Sequence, residues 1–179
     1  MVDEAEVRSL PPSMMSVVLR SVPAEELAYS SWEGLRDVCI GGMQDDRLSA
    51  TERMQWATAG ELVIDRQRHH PEKRDPHAVM ANEVTLRAYV ITRLGRVDDG
   101  SLSDLSLLWR RVTEAIGASS SSIRESAGDW QRTTRQEMLA LRRVKNLVTP
   151  FREILPLLDQ TDPLHEEIGE WVSVLPLLP

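Results

Sequence analysis

Apolar side chains recur at intervals of three and four residues along most of this chain, between proline and glycine punctuation. No run of four or more residues alternates apolar and polar between hairpin turns. A period near 3.6 places apolar positions on one face of a helix, whereas a half-buried strand needs a period of two. Asp99-Gly100, the type of pair that closes a hairpin, lies between two helical patterns rather than two strand-like runs. The chain is therefore expected to be all-α: a single-domain helical bundle of six or seven helices over residues 1–179, without significant β-sheet. Residues 1–12 read as an N-terminal extension and residues 176–179 as a C-terminal tail.

The punctuation places the helices. Pro11 and Pro12 precede an opening helix at 13–22. Pro23, ahead of Glu25 and Glu26, opens a helix at 24–40 that Gly41-Gly42 stops. Ser49 and Glu52 form a capping-box pair before a helix that runs to about residue 68 and ends before Pro71. Asp75-Pro76 combines an N-cap acceptor with proline at the first helical position. The helix it opens, 77–94, has an apolar stripe wide enough for a central position, and Gly95 stops it. Ser101 and Asp104 open another, with Leu105, Leu108, Trp109, Val112 and Ile116 on one face. A long helix is expected at 123–148, before Pro150. Asp162-Pro163 repeats the start signal and opens the last helix, closed by Pro176.

With 179 residues, 41% of them hydrophobic and 27% charged, the chain can bury a substantial core without staples. One cysteine, Cys39, excludes an intramolecular disulfide and a cysteine-based zinc site, and suggests a reducing cytoplasm. No secretory leader is read at the N-terminus, where Asp3, Glu4 and Glu6 stand in place of an apolar run, and no stretch approaches a membrane span. All basic residues but Lys73 and Lys145 are arginine, which points to a GC-rich bacterial source.

The net charge of −7 is unevenly spread. Residues 1–65 hold 12 acidic and 5 basic side chains, residues 66–145 hold 10 and 15, and residues 146–179 hold 6 and 1. A positive middle between negative ends either neutralises itself in the fold or faces a partner.

Three groups of residues bear on function. His69, His70 and His77 flank a helix–loop–helix junction, and with Glu72 or Asp75 they have the composition of a metal site. Arg66, Arg68, Lys73 and Arg74 oppose a cation there, so solvated loop histidines are the ordinary alternative. Arg132, Arg135 and Arg142 form a basic face on the long helix, but the acidic pI and the discontinuous stripe argue against nucleic acid as its ligand. Trp171, Val174, Leu175, Leu177 and Leu178 give the C-terminus an apolar character unusual for a chain end; they either close the core or meet a partner. Adjacent carboxylates such as Asp45-Asp46 and Glu166-Glu167 do not face each other on a helix, and no nucleophile turn or phosphate loop occurs.

The expected function is a non-catalytic helical protein–protein interaction or regulatory protein, self-associating through its C-terminal region, with no cofactor and no catalytic residue. One alternative is a metal-dependent helical-bundle enzyme using the histidine cluster. The other is a nucleic-acid-binding regulator using the basic face.

Overall fold

The computed structural model describes residues 3–72, 75–95, 102–117 and 135–178. Regular structure among these residues is entirely helical, without a strand. No helix among them is long and apolar enough to cross a membrane. Two compact units divide the chain, Met1–Ser103 and Asp104–Pro179.

The first unit contains α1 (Glu4–Ser9), α2 (Pro12–Ser21), α3 (Tyr29–Gln44), α4 (Ala50–His69) and α5 (Pro76–Tyr89). A π turn over Val90–Leu94 continues α5, closed by the Gly95 N–H bonding to the Val90 carbonyl at 2.9 Å. Gly95 has φ 67°, the left-handed region that favours glycine. Helix starts follow local chemistry: the Ser49 hydroxyl and the Glu52 carboxylate cap each other's backbone N–H, and Asp75 accepts from the His77 N–H at 3.0 Å.

Two clusters form the core of this unit, and α4 belongs to both. Ala59 and Val63 pack with Val7, Met15, Leu19, Trp32 and Leu35. Met54, Ala57 and Ile64 pack with Met43, Val79, Leu86 and Val90. A helix that packs on both sides of itself is central, so α4 takes the position that the sequence assigns to 77–94. Gly60 permits this crowding: a Cβ there would lie 2.8 Å from Leu86 Cδ1 and 3.3 Å from Cys39 Cβ.

Residues 4–9, within the expected extension, form α1, capped by Asp3 and buried through Val7. Two expectations about α3 are corrected. The helix expected at 24–40 is instead a 3-10 turn (Ala24–Glu26), an extended link at Leu27 and Ala28, and then α3. The link is held from outside: the Trp32 indole donates to the Ala24 carbonyl at 2.7 Å, and the Leu27 carbonyl pairs with His70. Finally, Gly41-Gly42 does not stop α3, which runs to Gln44.

The second unit contains α6 (Leu105–Ile116), α7 (Arg135–Val148), α8 (Phe151–Ile154) and α9 (Pro163–Val174). Asp104 and Asp162 cap α6 and α9 through the N–H groups of Leu107 and Leu164. The expected long helix is described from residue 135 onward; its 123–134 portion lies outside the described residues. Trp109 ties the unit together: it meets Phe151 edge to face at 4.9 Å, and its indole N–H donates to Glu167 Oε2 at 2.9 Å. Two Leu-Pro-Leu turns, Leu155–Leu157 and Leu175–Leu177, close in the same way. The N–H of the following leucine bonds back three residues at 3.2 Å in each. The expected tail is thus structured as far as Leu178, which is buried and whose carbonyl accepts from Lys145 Nζ at 2.9 Å.

Candidate functional site

The histidines do not assemble into a ligand set. His70 is buried, and both of its ring nitrogens are taken by backbone. Nδ1 accepts from the Glu72 N–H at 3.0 Å, which makes Nε2 the protonated nitrogen, donating to the Leu27 carbonyl at 3.1 Å. The Tyr29 ring stands edge-on to it, 5.5 Å between centroids. His69 is exposed, with Nδ1 2.8 Å from the Asp65 carbonyl one turn back, and His77 is half-buried in the first turn of α5. Among the described residues, no group of three or more His, Cys, Asp or Glu side chains is placed to hold a metal ion. The role of His70 is to fasten the end of α4 to the link before α3.

Among the described residues, the buried carboxylate and guanidinium are Glu83 and Arg87 of α5, and both reach toward α4. Arg87 Nη2 reaches Glu61 Oε1 at 2.6 Å, Arg87 Nε lies 3.2 Å from Glu83 Oε1, and Arg68 Nη2 lies 2.5 Å from Glu83 Oε2. Glu83 is fully buried. Two guanidinium groups thus balance two carboxylates, the arrangement that keeps buried charge tolerable. Balance is incomplete at Glu61. Burial pushes its carboxyl above the usual glutamate range against the pull of Arg87, and Glu83 adds to the rise. Glu61 Oε2 makes no hydrogen bond, and neither does either polar atom of the Gln67 side chain, which is only 3% exposed. Arg68, Glu61, Glu83, Arg87 and Gln67 include no hydroxyl or thiol nucleophile. Cys39, the one thiol of the chain, is buried beside Met15, and burial pushes it up to about 12.

Neither Glu61, Gln67, Glu83 nor Arg87 is singled out by the sequence reading. A signal for them exists in the apolar stripe of α5: Glu83 and Arg87 stand four residues apart among Val84, Leu86 and Val90, polar residues at positions that face inward.

The remaining candidates sit in the second unit. Arg135 and Arg142 are exposed on α7, and Arg132 lies outside the described residues. Of the C-terminal group, Trp171, Leu175 and Leu178 are buried, Val174 is half-buried, and Leu177 is 48% exposed. The structure therefore divides this group: three side chains fill a core and one remains on the surface. Leu157, in the equivalent place of the other Leu-Pro-Leu turn, is 60% exposed, and Leu139 on α7 is 48% exposed.

The chain matches no protein-family model, and neither the curated proteins nor the solved structures with which it was compared give a match.

Proposed function

We propose that this protein is a non-catalytic helical interaction or regulatory protein that self-associates through its C-terminal unit. The observation that supports this reading is the surface of that unit, where Leu139, Leu157 and Leu177 stand large and exposed while Trp109, Phe151 and Trp171 are buried. Polar groups elsewhere offer little for catalysis, because the buried Glu83 and Arg87 of α5 engage Arg68 and Glu61 of α4 and His70 is held by backbone. A cytoplasmic location and a bacterial source accompany the reading, from the lone cysteine and the arginine bias.

Light scattering coupled to size exclusion tests it. The expected mass is a whole multiple of one chain, falling toward a single chain in Leu157→Ser and Leu177→Ser variants. A wild-type protein that elutes as one chain at every concentration would overturn self-association.

A further inference from the structure

The outer faces of α7 and α9 carry opposite charges, the arginines of α7 seven residues apart and the glutamates of α9 four apart. On α7, Leu141, Val144, Leu147 and Val148 point into the unit, and the opposite side presents Arg135, Leu139, Arg142 and Asn146, all exposed. These four follow one another at intervals of four, three and four residues. On α9, Ile168, Trp171 and Leu175 point inward. The opposite side presents Glu166, Glu170 and Ser173 and continues to Leu177 in the turn that follows, again at four, three and four. That interval pattern keeps side chains on one seam when two helices pack together. Each stripe carries two like charges and one leucine, and both leucines are 48% exposed.

We propose that the partner in self-association is a second copy of this chain, with the Arg135–Leu139–Arg142 stripe of one copy seated against the Glu166–Glu170–Leu177 stripe of the other. This rests on the self-association reading above and names the surfaces that carry it. Opposite charge fixes the pairing and steers the encounter, and the two leucines supply apolar area. Like stripes repel, so α7 meets α9 and not another α7. A nucleic acid fits the basic stripe less well, because Leu139 occupies its middle and the chain carries a net charge of −7. One leucine is also too little apolar surface to seat the stripe in a membrane.

Sedimentation velocity over a concentration series, at low and high salt, tests the pairing with the full chain. Wild type should associate, and more weakly at high salt. Arg135→Glu with Arg142→Glu, and separately Glu166→Arg with Glu170→Arg, should each weaken association by about tenfold or more, since like charges then face each other. An equimolar mixture of the two double variants should form a mixed species. All four positions are exposed, so the helical circular dichroism of each variant should match wild type. If a double variant loses that signal, the single changes Arg142→Glu and Glu170→Arg take its place. If wild type associates but the reversals leave it unchanged, or the mixture stays dissociated, the stripe pairing is overturned while self-association stands. If wild type is a single chain under every condition, both fall together.

Discussion

The guanidinium of Arg66 donates from Nε to the carbonyl of Val22 at 2.7 Å, across 44 residues of sequence. Its Nη2 reaches the carbonyls of Leu19 and Arg20 at 3.2 and 3.1 Å. One side chain of α4 thereby satisfies the carbonyl groups that the end of α2 leaves without partners inside the helix. Arg66→Ala should cost about 2–3 kcal/mol, since hydrogen bonds from a charged donor are worth more than neutral ones. Arg66→Lys should recover less than half of that, because an ammonium lacks the planar fork that reaches several carbonyls together. Urea denaturation of both variants checks this, and a lysine as good as the arginine would reduce the contact to simple charge.

Neighbouring glycines in α3 should respond in opposite directions. Nothing lies within 4 Å of a Cβ placed on Gly41, whereas one on Gly42 would lie 2.5 Å from the Trp56 ring. Gly41→Ala should therefore stabilise the protein by about 0.5–1 kcal/mol, the conformational cost of glycine inside a helix. Gly42→Ala should lower the melting temperature, because α3 and α4 must separate to admit the methyl group. Equal effects at the two positions would show that Trp56 is not seated against α3.

Gln67 is a polar side chain at a buried position, with neither amide atom hydrogen-bonded. Leucine has a similar volume and carries no such desolvation cost, so Gln67→Leu should raise stability by about 1–3 kcal/mol. A loss of stability instead would mean that the amide has a bonding partner in solution.

Glu61 should leave a signature in the pH dependence of stability. Its raised carboxyl holds a proton more tightly in the folded state than in the unfolded chain. Wild-type stability is thus favoured at low pH and declines as pH rises from the ordinary glutamate range through the raised value. Glu61→Gln cannot titrate. Its stability relative to wild type should climb through that window and stay level below it, whatever the constant offset from the altered bond to Arg87. Chemical denaturation from acid to neutral pH measures the slope, and a flat difference would remove Glu61 as the source.

The starts of α4, α5, α6 and α9 are legible in the sequence because a capping side chain bonds to backbone only two or three residues away. Helical character is legible for a related reason: periodicity depends on neighbours along the chain. The same pattern identifies a face that is buried without identifying what buries it. Hence Leu27 and Ala28 interrupt a segment of helical spacing, drawn out by Trp32 from one side and His70 from the other. Hence also α4 is central although its sequence carries arginine, glutamate and glutamine throughout, because Arg66, Arg68 and Glu61 find partners on α2 and α5.

At the C-terminus the sequence by itself determined that Trp171, Leu175, Leu177 and Leu178 form an apolar run ending in a proline-interrupted turn. Only tertiary structure decided that the first two and the last are buried while Leu177 is left on the surface. The physical reason is the 3-10 turn at Leu175–Leu177, which turns successive side chains by about 120°. Leu175 and Leu178, three residues apart, then share the inward side, and the leucine between them faces away.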